Sequence, residues 1–84
     1  METTEDTEAL GRQIRAARKT MGLSQSEVAE VAGCSQRFVS ELERGKKTAE
    51  IGKVLAVIRA VNHRFVMQAK ETRVYASRRL EDYL

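Results

Sequence analysis

The stretch from residue 22 to residue 45, GLSQSEVAEVAGCSQRFVSELERG, contains the start and stop signals of two short helices. Ser24 can cap the first helix, and Glu27, three residues later, completes a capping box. Gly33 ends this helix, because glycine readily adopts the left-handed conformation that closes a helix at its C-terminus.

The second helix of the pair follows almost at once. Ser35 can cap it, the helix runs from about Gln36 to Arg44, and Gly45 ends it. Two helices joined by a short turn that contains glycine are typical of a helix-turn-helix. The stretch therefore predicts this motif as the centre of the fold.

The second helix has only two aliphatic positions for a core, Val39 and Leu42, with Phe38 beside them. The polar side chains of its N-terminal half occupy the other faces: Gln36, Arg37, Ser40 and Glu41. In helix-turn-helix proteins this part of the second helix contacts base edges in the major groove. Glutamine can pair with adenine and arginine with guanine, so we expect these four residues to contact bases.

Two further groups of polar residues are suited to the DNA backbone. Ser24 and Gln25 begin the first helix of the pair, where free backbone N–H groups can bind a phosphate. Arg44, Lys46 and Lys47 follow the second helix and provide positive charge. We expect phosphate contacts from all five residues, although Ser24 could equally serve only as a helix cap.

Helical patterns flank the motif on both sides. The preceding apolar stripe consists of Leu10, Ile14, Ala17 and Met21, and Gly22 ends that helix. The following stripe consists of Ile51, Val54, Leu55, Ile58 and Val61, with Thr48 as its expected cap. Gly52 interrupts this last helix and is interpreted as a point of close approach to a neighbouring helix. Arg18 and Glu43 border apolar positions and are expected to form a salt bridge.

The pattern changes from helical to alternating at residue 62. Phe65, Met67 and Ala69 alternate with polar or β-forming residues, which predicts a strand over residues 62–70. A single strand needs a partner for its backbone hydrogen bonds, and a second copy of the chain can supply one. We therefore expect Phe65, Val66 and Met67 at a dimer interface. Residues 71–84 are predicted to be a C-terminal tail, either a helix or an arm that orders on a partner.

Composition limits the size and class of the protein. The 84 residues suffice for one small domain, and 42% hydrophobic with 32% charged residues is typical of a globular chain. Residues 1–7 are polar and acidic and are predicted to be a flexible N-terminus, with the DNA-binding domain at residues 8–61. Beyond residue 10 there are 15 basic and 8 acidic residues, which favours a polyanionic partner. The lack of a long apolar run or a leader predicts a cytoplasmic protein without membrane contact.

The chain offers little for catalysis. It contains one histidine, His63, and one cysteine, Cys34, and it has no glycine-rich phosphate loop. We expect no enzymatic activity, no cofactor and no metal site. A module that only binds other proteins is the alternative to a DNA-binding protein. The presence of Gln25, Gln36 and Arg37 argues against that alternative, because a hydrophobic core does not need them.

The motif resembles the Xre/Cro type of helix-turn-helix found in phage repressors and many bacterial regulators. The resemblance covers residues 10–61, and the matching positions are Arg18, Gly22-Leu23-Ser24-Gln25, Glu27-Val28-Ala29, Gly33, Ser35-Gln36, Val39-Ser40 and Leu42-Glu43-Arg44-Gly45. It implies an internal salt bridge between Arg18 and Glu43 and a phosphate contact from Gln25. It also implies base contacts from the four polar residues named above for the second helix.

Four helices followed by a strand are most similar to the HipB-type antitoxins, in which the strand pairs with its copy in a second subunit. The resemblance implies a mainly α, lambda-repressor-like DNA-binding domain of four to five helices with a short C-terminal β-strand at the dimer interface. It also implies a dimeric regulator, in the simplest case a repressor, on a palindromic double-stranded DNA operator. The alternative is an antitoxin that in addition neutralises a toxin protein, with Tyr83 and Leu84 in the contact.

Overall fold

The computed structural model describes residues 4–69 of the 84-residue chain. These residues contain four helices: α1 (Thr7–Thr20), α2 (Gln25–Ala32), α3 (Gln36–Glu43) and α4 (Ile51–Ala60). Helix α2 packs on α3 and α4, and α1 packs on α3. This arrangement confirms the mainly α helix-turn-helix fold. None of the described helices is both long and apolar enough to cross a membrane.

The caps of the two central helices match the predictions. Ser24 Oγ accepts a hydrogen bond from Glu27 N at 3.0 Å, and Glu27 Oε1 accepts one from Ser24 N at 2.8 Å, which completes the capping box. Ser35 Oγ accepts from Phe38 N at 3.0 Å. Each bond satisfies a backbone N–H at a helix start that would otherwise have no partner within the helix.

The caps of the outer helices differ from the predictions. Asp6, assigned above to the flexible N-terminus, accepts a hydrogen bond from Ala9 N at 2.7 Å and caps α1. Thr48 was expected to cap α4, but this prediction is wrong, because α4 begins at Ile51 and Glu50 precedes it without a side-chain cap bond. The basic turn between α3 and α4 is therefore longer than its sequence suggested.

The core is small and aliphatic. Its fully buried side chains are Val28, Val39, Val57 and Val61. The predicted stripes hold in their central parts, where Ile14, Val54 and Ile58 are buried, and fail at two ends. Met21 is 45% exposed and Ile51 is 65% exposed. Met21 is the C-cap residue of α1, and Ile51 is the first residue of α4. The failure is not general to helix ends, because Val61, the C-cap residue of α4, is buried.

The close helix approach lies at a different glycine from the one expected. Gly52 is exposed, and a β-carbon there would meet only Glu50 Oε1, at 3.7 Å. Gly11 is buried, and a β-carbon there would lie 2.6 Å from the carbonyl oxygens of both Leu42 and Glu43. The absence of a side chain at Gly11 is therefore what lets α1 approach the C-terminal end of α3.

Helix α4 ends at Ala60 with Val61 as its C-cap, and at Asn62 the backbone takes a positive φ of 61° and the alternating pattern begins. Within residues 4–69 no strand is assigned, and residues 63–69 lie outside the four helices. The segment is predicted to form a strand by pairing with the same segment of a second copy of the chain. The structure describes one chain, so the strand remains a prediction. The expected tail at residues 71–84, with its antitoxin alternative, lies outside the described residues.

Candidate nucleic-acid interface

The turn between α2 and α3 sets the direction in which α3 leaves the motif. Gly33 adopts a left-handed conformation with φ 75°, and its N–H donates to Glu30 O at 3.3 Å. Cys34 N donates to Ala29 O at 3.0 Å, which completes the closure of α2. The half-buried Cys34 side chain packs against the core, and burial raises the pKa of its thiol. Cys34 therefore serves as a packing residue of the turn.

Helix α3 has one buried and one exposed side. Val39 and Leu42 are buried in the core, as the sequence predicted. Gln36 and Arg37 begin the helix and are exposed; Arg37 lies opposite the core pair, and its side chain retains 86% of its accessible surface. Ser40 and Glu41, two more of the expected base contacts, are half-buried. The N-terminal half of α3 thus presents polar side chains on a surface the core does not use.

A buried ion pair joins α1 to the C-terminal end of α3. Arg18 Nε lies 2.6 Å from Glu43 Oε2, and Arg18 Nη2 lies 3.0 Å from Glu43 Oε1. The third arm of the guanidinium donates to Leu23 O at 2.9 Å. The side chains of Arg18 and Glu43 are 11% and 3% exposed. A bidentate pair of this kind is both strong and directional, so it fixes how α3 is oriented on α1.

The two charges of this pair change each other's ionisation. The hydrogen bond to Glu43 raises the pKa of the Arg18 guanidinium. For Glu43, burial alone would raise the pKa of the carboxyl, but hydrogen bonds from Arg18 and Gln25 outweigh it and hold the pKa below the ordinary value of 4.5. Both side chains are therefore charged at neutral pH.

The ion pair continues as a chain of hydrogen bonds to the surface. Gln25 Nε2 donates to Glu43 Oε1 at 3.1 Å, and Gln36 Nε2 donates to Gln25 Oε1 at 3.3 Å. An expected phosphate contact and an expected base contact are thus in direct contact with each other. The sequence did not predict this connection. Gln25 is 11 residues from Gln36 and 18 from Glu43, and no helical repeat or capping motif links residues so far apart.

Glu41 lies between two of the exposed cations. Its carboxylate is 3.6 Å from Arg37 Nε, one helical turn before it, and 3.3 Å from Lys46 Nζ in the following turn. The hydrogen bond from Lys46 lowers the pKa of Glu41. Lys46 reaches this position because Gly45 adopts φ 90° and Lys46 N donates to Glu41 O at 3.1 Å. The sequence-predicted base and phosphate contacts at this end of α3 are therefore partners of one another.

The remaining predicted phosphate contacts are on the surface. Ser24 is exposed and its hydroxyl holds the capping bond to Glu27 N, while its backbone N–H donates to the Glu27 carboxylate. That backbone hydrogen bond lowers the pKa of Glu27. Arg44 and Lys47 are exposed beside Lys46. Basic groups therefore surround the turn after α3. The start of α2 lies beside the start of α3, where the two glutamines contact each other.

A second surface lies at the far end of α4. A cleft of about 550 Å³ is lined by Leu55, Arg59, Asn62, His63, Arg64 and Phe65. The segment after it exposes Phe65, Val66 and Met67, with 54%, 70% and 88% of their surface accessible. These are the residues expected at a dimer interface. Among the described residues, no group of histidine, cysteine, aspartate or glutamate could hold a metal ion.

Comparison with known proteins gives one family. The family model described as helix-turn-helix domain matches residues 9–62. A curated relative, the uncharacterized HTH-type transcriptional regulator y4mF of Sinorhizobium fredii (strain NBRC 101917 / NGR234), is 48% identical over 52 residues, which are 62% of this chain and 68% of the relative.

Two solved structures resemble this fold. A chain in the structure of the HipA-HipB-O2-O3 complex matches with a TM-score of 0.78 at 15% identity, over 84% of this chain and 100% of that chain. The restriction-modification controller protein C.AhdI from Aeromonas hydrophila matches with a TM-score of 0.63 at 28% identity, over 69% of this chain and 84% of its own.

Proposed function

This chain belongs to the helix-turn-helix transcriptional regulators, a family of DNA-binding proteins, and from that premise we propose that it represses transcription as a dimer on a palindromic operator. Helix α3 would lie in the major groove of each half-site. Occupation of the operator would block access of RNA polymerase to the promoter. One observation carries the proposal: Gln36 and Arg37 begin α3 with exposed side chains, Arg37 on the side opposite its core residues and Gln36 at the edge beside Gln25.

The base contacts would come from the exposed side of α3. Gln36 offers an amide that pairs with adenine, and Arg37 offers a guanidinium that pairs with the O6 and N7 atoms of guanine. Ser40 and Glu41 follow on the next turn, and a glutamate there can accept from the amino group of cytosine. Gln36 and Arg37 lie in the first turn of α3, the part of such a helix that contacts bases, and Ser40 and Glu41 lie one turn further along.

The phosphate contacts would come from both sides of α3. Gln25 is held between Glu43 and Gln36, so a phosphate bound at the start of α2 would act on a side chain that also positions a base contact. Ser24 is exposed at the same helix end. Arg44, Lys46 and Lys47 supply positive charge on the other side. Phosphate contacts of this kind set the register of the protein on DNA.

Replacing Arg37 by alanine should weaken binding to the operator by about 1–3 kcal/mol and relax the preference at one base pair, because the bidentate pairing of the guanidinium with a base is removed. Lys47→Ala is the matched control. It should weaken binding to operator and random duplexes alike and reduce the dependence of binding on salt. The measurement is a titration of an operator selected in vitro from a randomised duplex library, beside a random duplex of equal length. Equal losses of affinity on both duplexes for Arg37→Ala would contradict a base contact.

The dimer would form through residues 63–69. This segment exposes Phe65, Val66 and Met67 next to the cleft at the end of α4, so a second copy would bury apolar surface there. A two-fold related copy of the same strand supplies an antiparallel mate and satisfies its backbone donors and acceptors. The two copies of α3 would then stand about one DNA turn apart, as a palindromic operator requires.

Replacing Val66 by proline should convert the dimer to a monomer and lower operator affinity about tenfold or more, because proline removes a backbone N–H from the ladder. Val66→Ala keeps that N–H and is the control for removal of the side chain alone. Sedimentation velocity gives the oligomeric state, and titration of the selected operator gives the affinity. A Val66→Pro variant that stays dimeric with full affinity would place the interface elsewhere.

A further inference from the structure

Glu41 is an unusual residue to find on a surface meant for DNA, because its negative charge opposes the phosphates. Its carboxylate lies 3.6 Å from Arg37 Nε and 3.3 Å from Lys46 Nζ. Both cations belong to the set that would contact DNA. In the free protein the carboxylate therefore neutralises part of the positive charge that the surface would otherwise offer to any duplex.

We propose that Glu41 is a specificity-determining residue that holds Arg37 and Lys46 away from indiscriminate phosphate contacts. This inference rests on the proposed function. It assigns to one acidic side chain on the DNA-binding surface the role of opposing binding to unsuitable DNA. Specific binding is a difference between two affinities, and a repulsive group that penalises wrong partners increases that difference. Here the wrong partner is non-operator DNA.

The loss of binding affinity that Glu41 causes should differ between operator and random DNA. On random DNA there are two outcomes. If Arg37 and Lys46 stay paired with Glu41, they do not bind a phosphate. If they leave it, the unpaired carboxylate faces the phosphates and is repelled by them. On an operator, Arg37 has a base to bind, and a cytosine amino group can donate to the carboxylate that Arg37 leaves. Glu41 would therefore weaken non-specific binding more than operator binding.

The size of the effect follows from counterion release. Each phosphate contact contributes about 0.9 to the slope of log affinity against log salt. At 0.15 M salt this corresponds to roughly a fivefold change in affinity for each contact. Freeing one of the two cations from Glu41 should therefore raise affinity for random DNA by about fivefold and steepen the salt dependence by about one.

The test compares Glu41→Gln with Glu30→Gln. Glu30 is exposed on α2, so its substitution makes the same change in net charge without touching Arg37 or Lys46. Both variants and the parent are titrated with a random 30-base-pair duplex and with the operator selected by the parent protein, at several salt concentrations. A thermal melt verifies that each variant is folded.

The proposal expects Glu41→Gln to bind random DNA about fivefold more tightly than Glu30→Gln, with a steeper salt dependence and a smaller ratio of operator to random affinity. Equal affinities of the two variants for random DNA would overturn it. So would a weakening confined to the operator, which would leave Glu41 only a base contact. If the parent selects no operator and binds no duplex in a salt-dependent way, the proposed function itself fails, a result distinct from either of these.

Discussion

Replacing Glu43 by glutamine should lower the free energy of unfolding by about 2 kcal/mol or more. The Glu43 carboxylate is 3% exposed and accepts two hydrogen bonds from Arg18 and one from Gln25. A neutral amide cannot balance the guanidinium charge, and one of its two polar atoms is a donor that would face another donor. A buried charge left without its partner is among the costliest changes a small domain can undergo.

The matched control is Glu41→Gln, the same chemical change on the same helix two residues earlier. Glu41 lies at the surface with partly exposed partners, and exposed ion pairs contribute little to stability. The melting temperature of the Glu41→Gln variant should therefore stay close to that of the parent. Thermal unfolding followed by circular dichroism measures both variants. A Glu43→Gln melt as close to the parent as that of Glu41→Gln would contradict the role assigned to the buried pair.

The same pair makes the difference between parent and variant depend on pH. The pKa of Glu43 is lower in the folded protein than its ordinary value of 4.5. The stability that the carboxylate contributes is therefore complete above pH 4.5 and is lost as the pH falls through the lowered folded-state pKa. Melts of the parent and Glu43→Gln should thus differ most at neutral pH and converge in acid. A difference that stays constant over the whole acid range in which the parent remains folded would contradict this.

Replacing Gly11 by alanine should destabilise the protein by about 2–3 kcal/mol, even though alanine favours helix formation more than glycine does. The new β-carbon would lie 2.6 Å from two backbone carbonyl oxygens, those of Leu42 and Glu43. Backbone atoms cannot rotate away as the end of a side chain can. Helices α1 and α3 would have to separate, and the separation would stretch the bonds between Arg18 and Glu43.

Gly52→Ala is the control, since it makes the same substitution inside another helix of the same chain. A β-carbon there meets only Glu50 Oε1, at 3.7 Å, so the higher helix propensity of alanine should stabilise the protein, by at most the roughly 1 kcal/mol of a helix interior because Gly52 lies in the first turn of α4. Chemical denaturation of both variants gives the two free energies. If Gly11→Ala were also stabilised, the close contact between α1 and α3 would be refuted.

The sequence by itself determined the helix-turn-helix because its signals are local. A cap, its partner three residues later and a closing glycine all act within one or two helical turns, so Ser24, Glu27, Gly33 and Ser35 could be assigned without any tertiary information. The polar side of α3 was predictable for the same reason, since the 3.6-residue repeat places Arg37 opposite Val39 and Leu42 and leaves Gln36 at the edge of the buried side. The pairing of Arg18 with Glu43 was expected from their positions beside apolar residues, and the family resemblance implied it as well.

Only the tertiary structure decided which glycine lies at a helix contact and which charged groups are neighbours. Gly11 and Gly52 both interrupt helices, and nothing within a few residues of either distinguishes them; the packing of α3 against α1 does. Likewise the bonds from Gln36 through Gln25 to Glu43 join the start of α2 to both ends of α3, which lie 11 and 18 residues away along the chain. Such contacts depend on how helices pack, and packing is set by the whole core at once, so no local pattern records it.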